Sequence, residues 1–192
     1  MIRETIVTTL NPDGSAQIAP MGIRAKDGLI IIAPFKPSTT LENIMRTGHA
    51  VINMTDDVRV FAGCLTGRYD WPLVPVQHIP GVRLANTLSH LELEVQAVED
   101  DEVRPRFLCA IRHEETHRPF QGFNRAQAAV LEAAILLSRL HMLQAEKIDA
   151  ELAYLQIAID KTAGDAEREA WAWLMARIVE FRAQQAQRES LV

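Results

Sequence analysis

The sequence predicts an α+β protein, with a small barrel of strands first and a helical C-terminal subdomain after it. Residues 1–122 contain short runs rich in Ile, Val and Thr, separated by turns rich in Asn, Gly and Pro. From residue 123 onward, apolar residues recur three or four positions apart, which is typical of amphipathic helices. Strands followed by a block of helices indicate an α+β fold. We therefore expect two domains, 1–122 and 123–192.

The first two strands are predicted to form a hairpin. Glu4–Leu10 and Ala16–Ile23 are rich in β-forming residues and flank a tight-turn sequence. The second strand contains Pro20 and Gly22, which paired strand interiors normally avoid, so we expect a bend or a close approach to the backbone there. Leu29–Ala33 is an unbroken apolar run and predicts a third, buried strand.

A short helix and a fourth strand follow. Ser38 or Thr39 can cap a helix that ends at Gly48, and Ala50–Met54 is again strand-like. The order strand, hairpin, strand, helix, strand favours a small barrel with one helix at an end.

The middle of the chain is less regular. Val58–Ala62 predicts a short strand, and the three prolines within Tyr69–Gly81 favour an irregular surface loop. Leu91–Val98 alternates apolar and polar residues, as a half-exposed strand does. Arg106–Arg112 should return as its partner.

Three helices are predicted in the C-terminal domain. Asn124 can cap the first, whose apolar positions extend to Met142. The second covers Glu146–Thr162, and the third has Trp171, Leu174, Ile178 and Phe181 at helical spacing.

Bulk composition excludes several classes of function. Of the 192 residues 48% are hydrophobic and 23% charged, as in an ordered globular protein, and the net charge of −5 disfavours nucleic-acid partners. No apolar run approaches the length of a membrane span, and the N-terminus does not resemble a secretory signal. We expect a cytoplasmic protein in which Cys64 and Cys109 are reduced packing residues.

The predicted start of the short helix has the chemistry of an anion site. Ser38, Thr39 and Thr40 place hydroxyl groups beside backbone N–H groups that a helix start leaves unpaired, and the helix dipole favours a negative charge there. Asn43 shares a helix face with Thr39 and Thr40 and could donate to phosphate or ribityl oxygens. An ordinary helix cap is the alternative interpretation of these residues.

The bend at Pro20-Met21-Gly22 would suit a flat ring. It would offer backbone groups, no bulky side chain at Gly22 and a polarisable contact from Met21. Together with the anion site, this pattern indicates a flavin phosphate as the ligand.

The same stretches resemble a known family. The chain is similar to the FMN-binding split-barrel superfamily of flavin reductase-like proteins, and more closely to the family called domain of unknown function 447. The residues that carry the resemblance are Thr8-Thr9, Ala19-Pro20-Met21-Gly22-Ile23, Ala33-Pro34-Phe35, Thr39-Thr40 with Asn43, Val51-Ile52-Asn53 with Thr55-Asp56, and Gly122-Phe123-Asn124-Arg125-Ala126. The resemblance implies a split barrel that binds FMN at or near a homodimer interface.

The resemblance also implies a set of cofactor contacts. Thr39, Thr40 and Asn43 would meet the phosphate and ribityl chain, while Pro20, Met21, Gly22 and Asn53 would lie near the isoalloxazine. Phe35 would belong to the apolar wall of the ring site, unless it is a core residue.

Two arginines are candidates for pairing with the phosphate. Arg24 and Arg125 carry guanidinium groups, which bind phosphate oxygens in a two-pronged geometry. Arg125 sits near a helix start, where a cation opposes the dipole. A salt bridge from Arg125 to Glu132 or Glu114 is an equally good explanation.

The run His113-Glu114-Glu115-Thr116-His117 has the form of a metalloprotease HExxH motif. That motif functions on a helix, whereas this run follows a predicted strand and precedes Pro119. We therefore expect no metal ligands, and hydrolytic metal chemistry at His113 and His117 is the least favoured alternative. His49, His78, His90 and His141 have no partner motif and are interpreted as surface or packing residues.

The sequence supports two main hypotheses of function. The first is an FMN-dependent oxidoreductase of flavin reductase-like type, with no catalytic residue and no substrate identified. The alternative is a non-enzymatic module that binds a flavin or another phosphorylated ligand and acts through a protein partner.

Overall fold

The computed structural model describes residues 1–189 and divides into two compact units. The first unit comprises residues 1–56 and 70–120, and the second comprises residues 57–69 and the chain from residue 121 onward.

Six strands of the first unit form a closed barrel. In chain order these strands are β1 (Ile2–Leu10), β2 (Ala16–Lys26), β3 (Leu29–Ile32), β4 (His49–Met54), β7 (Ser89–Glu99) and β8 (Arg106–Thr116). The two remaining strands, β5 (Leu73–Pro75) and β6 (Val82–Leu84), form a separate hairpin. Around the barrel the order is β1-β2-β3-β8-β7-β4, and each neighbouring pair is antiparallel. Together with the helices below, this confirms the predicted α+β class.

The barrel is held together by apolar side chains on its inner face. The core cluster contains Val7, Ile30, Ile52, Leu93 and Phe107 among others, and all five are at most 6% exposed. Burial of several large apolar side chains of this kind is the main favourable term in folding, at about 1.5–3 kcal/mol each.

Helix α1 (Thr39–Thr47) contributes to this core. Ile44 on α1 is buried within the barrel cluster, and Leu41 packs against it. The helix ends at Gly48, whose left-handed backbone (φ 71°) and N–H bond to the Ile44 carbonyl form the predicted C-terminal cap. The start of α1 is thereby fixed relative to β1, β2 and β4, against which the helix packs.

Strands β2 and β3 pair over only a short stretch of the closed barrel. They pair over Arg24–Lys26 and Leu29–Ile31, whereas β2 pairs with β1 from Ala16 to Arg24. Within residues 1–189, the segment Ala16–Ile23 therefore has a strand neighbour on one edge only.

Two segments differ from the structure that the sequence predicts. Val58–Ala62 is not a strand but part of helix α2 (Val58–Leu65), which Asp57 caps by accepting from the Arg59 N–H. The reason is tertiary packing, since α2 packs against helices of the second unit and its apolar residues are buried in their cluster. The loop Tyr69–Gly81 is not wholly irregular, because β5 (Leu73–Pro75) pairs with β6 (Val82–Leu84).

The second unit contains α2 and three longer helices. These are α3 (Arg125–Ser138), α4 (Ala145–Thr162) and α5 (Asp165–Glu189). Asn124 caps α3 as predicted, with its Oδ1 accepting from the N–H groups of Ala126 and Gln127. Met142 is not on the buried face of α3, because that helix ends at Ser138 and Met142 is exposed.

Helix α5 buries Trp171, Leu174 and Ile178 as expected. None of the helices within residues 1–189 is long and apolar enough to cross a membrane.

Candidate functional site

The N-terminus of α1 has the local structure that the sequence predicts. Ser38 adopts an extended backbone, and its Oγ accepts from the Leu41 N–H at 3.3 Å. The N–H groups of Thr39 and Thr40 have no hydrogen-bond partner in the part of the chain that the structure describes. Two donors therefore remain available at the positive end of the helix dipole, which is the arrangement that binds anions.

The three hydroxyl residues differ in exposure. Thr39 is exposed and Ser38 is half-buried, whereas Thr40 is only 3% exposed. An anion at this helix start can therefore meet the Thr39 hydroxyl directly, while Thr40 contributes through its N–H and its packing.

The loop before α1 is anchored by two cations. Lys36 donates its backbone N–H to the Val103 carbonyl at 2.8 Å, and its ammonium contacts the Asp100 carboxylate at 2.7 Å, which lowers the pKa of Asp100. Arg104 donates to the Ala33 carbonyl at 3.1 and 2.9 Å. These contacts hold the loop leading into the helix and place positive charge along it.

Arg104 also explains the position of Phe35. Its guanidinium lies 4.3 Å from the centre of the Phe35 ring, which is 56% exposed and is therefore not a core residue. Sequence reasoning missed Arg104 because it is 71 residues from the loop that it anchors. Only the pairing of β3 with β8 brings the two segments together.

Asn43 is turned toward β1. It is 2% exposed, and its Nδ2 donates to Thr9 Oγ1 at 3.1 Å and to Asn11 Oδ1 at 2.8 Å. Its Oδ1 accepts from Arg46 at 3.3 Å. Both amide hydrogens are thus used within the chain, so Asn43 holds α1 against the barrel.

Asn53 has a similar environment on β4. It is fully buried, and its Nδ2 donates to the Ile6 carbonyl at 3.1 Å and to Thr8 Oγ1 at 3.3 Å. Its Oδ1 accepts from the Leu84 N–H at 2.7 Å. The side chain therefore joins β4 to β1 and β6.

The predicted ring contacts lie on β2 beside β1. Pro20 and Met21 are opposite Ile6 and Thr5, and Thr5 donates its hydroxyl to the Met21 carbonyl at 2.9 Å. A Cβ on Gly22 would come within 2.7 Å of Ile2 Cγ2, so packing against β1 already requires glycine there. Pro20 and Asn53 both neighbour Ile6, from opposite sides. The structure thus gathers these residues around β1.

The two arginines lie in different places. Arg24 is exposed on β2, opposite Ile2 and Ile31. Arg125 is the exposed first residue of α3 and belongs to the second unit.

Three solved structures illustrate the proteins that have a similar fold. An FMN-bound protein from Methanosarcina mazei, MM1853, matches with a TM-score of 0.78 and 20% identity, covering 92% of this chain and 94% of that one. The 2-nitrobenzoate 2-nitroreductase of Pseudomonas fluorescens has a TM-score of 0.52 and 23% identity, covering 59% and 64%. The flavoredoxin of Desulfovibrio vulgaris has a TM-score of 0.51 and 17% identity, covering 60% and 70%.

The barrel unit therefore has the split-barrel fold that the sequence predicts. No curated protein sequence matches this chain at a significant level. The family model described as the N-terminal domain of the protein of unknown function DUF447 matches residues 3–118, and the model described as protein of unknown function (DUF447) matches residues 124–176. With nearly its whole length matched, this chain belongs to the DUF447 family.

Proposed function

We propose that this chain is a flavoprotein that binds FMN, with the phosphate at the N-terminus of α1. The observation that carries the proposal is the pair of N–H groups of Thr39 and Thr40, which have no partner among residues 1–189 and lie beside the Ser38 and Thr39 side chains. The crystal structure of the FMN-bound protein from Methanosarcina mazei, a protein with the same fold, supports FMN as the ligand.

The residues present fit a flavin phosphate. A dianion requires several converging donors, and the N–H groups of Thr39 and Thr40 point to one place at the helix start. Glu42 is an acidic residue in the first turn of α1, so these donors and the cations of the preceding loop must outweigh its charge. Lys36 and Arg104 add positive charge on the preceding loop. Arg24 and Arg125 remain candidates for direct pairing with the phosphate.

The ring would be bound at the open edge of β2. Ala16–Ile23 has a strand neighbour on one side only within the described residues, so its other edge can offer hydrogen bonds to the polar edge of an isoalloxazine. Pro20, Met21 and Gly22 lie on this segment, and Phe35 would supply an apolar wall. Asn43 and Asn53 would act mainly by fixing α1 and β4, because their amide groups are bonded within the chain.

We also propose that the chain forms a homodimer with the flavin site at or near the subunit interface. The barrel unit exposes Ile2 by 53%, Phe35 by 56% and Met45 by 62%, and these apolar side chains would be covered by a second copy. Sedimentation analysis of the purified protein tests this: we expect a dimer, and a monomer at all concentrations would contradict it.

The proposed reaction class is electron transfer by a flavin reductase-like oxidoreductase located in the cytoplasm. FMN would supply the redox chemistry, and the chain would bind and orient it. Two proteins of similar fold support this class by name, the 2-nitrobenzoate 2-nitroreductase and a Streptomyces globisporus NADH:FAD oxidoreductase. Sustained NAD(P)H oxidation by the FMN-loaded protein would favour an enzyme, and its absence would favour the non-enzymatic module.

Site-directed variants test the phosphate position. The double variant Thr39→Ala, Thr40→Ala removes the exposed Thr39 hydroxyl and the packing of the buried Thr40 side chain at the helix start, and it should weaken FMN binding at least tenfold, or about 1.4 kcal/mol. The matched control is Thr47→Ala, which removes the same hydroxyl from the opposite end of α1, where it bonds to the Asn43 carbonyl.

The control should retain FMN, and circular dichroism should show that both variants are folded. Normal FMN affinity in the folded double variant would remove these residues from the site. Colourless wild-type protein that also fails to bind added FMN would overturn the proposed function.

A further inference from the structure

Strands β7 and β8 carry histidine and glutamate at every second position. On β7 these are His90 and Glu92, and along β8 they are His113 and Glu115, with His117 immediately after the strand. Residues two apart in a strand point to the same face. The pairing places His90 opposite Glu115 and Glu92 opposite His113, so all five side chains share one face of the sheet.

A sixth side chain reaches this face from the segment between β5 and β6. The His78 ring stacks on that of His113 at 4.1 Å between ring centres, His113 lies 5.9 Å from His90, and His90 lies 5.1 Å from His117. Four of the six histidines of the chain therefore form one cluster. His78 is a surface residue and His90 a buried one, as expected, but both have partners that the sequence did not indicate.

The residues at the centre of the cluster are buried. His90 is 2% exposed and Glu92 is 1% exposed, although both lie on a strand that the sequence predicts to be half-exposed. The segment that carries His78 covers them: the N–H groups of Gln77, His78 and Ile79 donate to the Glu92 carboxylate at 3.4, 2.7 and 3.0 Å.

His90 has a polar atom without a hydrogen bond. Its Nδ1 lies 2.9 Å from His117 Nε2, whereas its Nε2 is the single buried side-chain nitrogen or oxygen within residues 1–189 that has no hydrogen-bond partner. The nearest carboxylate oxygen, Glu92 Oε1, is 3.5 Å away. A buried imidazole normally uses both nitrogens.

Two sets of potential ligands meet at this face. In each of the sets His90, Glu115, His117 and His78, Glu92, His113, the ligand atoms lie within 4.8 Å of one another. Glu92 already accepts three backbone N–H groups, so the second set is less free to bind an ion. In the first set, Glu115 Oε1 lies 3.9 Å from His117 Nδ1, and Glu115 Oε2 lies 3.9 Å from His113 Nε2.

We propose that His90, Glu115 and His117 bind one divalent transition-metal ion of the Zn²⁺ type. Two imidazole nitrogens and a carboxylate are a common ligand set for such ions, with metal–ligand distances of about 2.0–2.2 Å. Nitrogens bound to one tetrahedral ion lie roughly 3.4 Å apart by that geometry, so His90 Nδ1 and His117 Nε2 need to separate only slightly.

Glu92 has a separate role in this site. Histidine ligands usually give their second ring N–H to a carboxylate, which fixes the ring. With His90 Nδ1 on the ion, its Nε2–H faces Glu92 Oε1. The buried carboxylate, itself held by three backbone N–H groups, then positions His90, and a water or His113 can complete the coordination. The run His113–His117 thus contributes from an extended strand and not as a helical HExxH motif.

Metal titration of the full chain tests the proposal. Chelator-treated protein without FMN is titrated with Zn²⁺ by calorimetry, and with Co²⁺ by absorption in the visible range. We expect one ion per chain with a Kd at or below about 1 µM. His117→Ala should weaken binding at least tenfold, and Glu92→Gln should weaken it roughly 10–100-fold through the orientation of His90.

Two variants serve as controls. His141→Ala removes an exposed histidine of the second unit, and His78→Ala removes a member of the other ligand set. Both should bind Zn²⁺ nearly as the wild type does. Absence of binding, or binding unchanged in folded His117→Ala, would overturn the proposal, and loss in His78→Ala alone would overturn the choice of ligands. The test contains no flavin, so its outcome is independent of FMN binding.

Discussion

Replacement of Asn53 by alanine should destabilise the barrel strongly. The side chain is fully buried and makes three hydrogen bonds, to Ile6, Thr8 and Leu84. Thr8 keeps other acceptors, the carbonyls of Val51 and Val82. The variant therefore leaves two groups without this partner, the Leu84 N–H and the Ile6 carbonyl.

Each buried polar group left without a partner costs about 1–3 kcal/mol, so the free energy of unfolding should fall by about 2–4 kcal/mol. Urea denaturation followed by circular dichroism measures this loss. With a urea m-value of roughly 2 kcal/mol/M, the midpoint should fall by about 1–2 M. Asn86→Ala, at an exposed position on the same unit, is the matched control and should change the free energy by less than about 0.5 kcal/mol.

A midpoint for Asn53→Ala equal to that of Asn86→Ala would refute the structural role assigned to Asn53. That result would instead favour the prediction from the sequence that the Asn53 amide contacts the isoalloxazine directly.

Three further predictions follow from single side chains. Glu92→Gln should lower the free energy of unfolding by about 2–4 kcal/mol, because an amide cannot accept all the N–H groups that the carboxylate accepts. Ser38→Ala should lower it by about 1 kcal/mol through loss of the α1 cap. Burial raises the thiol pKa of Cys64 and Cys109 to about 12, so both should react very slowly with iodoacetamide at pH 8 in the native protein and rapidly in urea.

Each of these has a control or a contradicting result. Glu114→Gln, at an exposed position of β8, should leave stability unchanged, and an equal loss in both glutamate variants would exclude the proposed hydrogen-bond role. Ser138→Ala controls for the loss of a serine hydroxyl away from a helix start. Rapid labelling of either thiol in the folded protein would show that it is less buried than the structure indicates.

Features set by neighbouring residues could be predicted from the sequence. The caps at Gly48 and Asn124 are confirmed, and the structure selects Ser38 from the two predicted caps of α1, because a cap depends on the few residues around it. The barrel strands and the three C-terminal helices follow from hydrophobic periodicity.

Features set by tertiary contacts could not be predicted in the same way. The sequence of α2 predicts a strand because Val58, Val60 and Phe61 favour extended structure, and only burial against other helices selects a helix. The burial of Glu92 depends on a covering segment 13–15 residues earlier in the chain. One local pattern in the sequence indicates the histidine cluster, the alternation of His and Glu at 90–92 and 113–117. Whether these side chains meet depends on the register of β7 with β8.

The hydrogen bonds that the Asn43 and Asn53 side chains make within the chain also could not be predicted from the sequence. Asn43 is predicted as a cofactor contact from helix spacing and from the family resemblance, and Asn53 from the resemblance alone. Neither argument gives the direction of a side chain. Their direct contact with FMN stays a prediction, alongside that of Pro20, Met21 and Gly22.

A titration of the flavin-free protein with FMN and with riboflavin tests the central claim most directly. Riboflavin has the same ring and ribityl chain but no phosphate, so the difference between the two affinities measures recognition of the phosphate at the start of α1. Quenching of flavin fluorescence should saturate at about one FMN per chain, and FMN should bind at least tenfold more tightly than riboflavin, a difference of about 1.4 kcal/mol. Absence of saturable FMN binding, or equal affinity for the two flavins, would contradict the account.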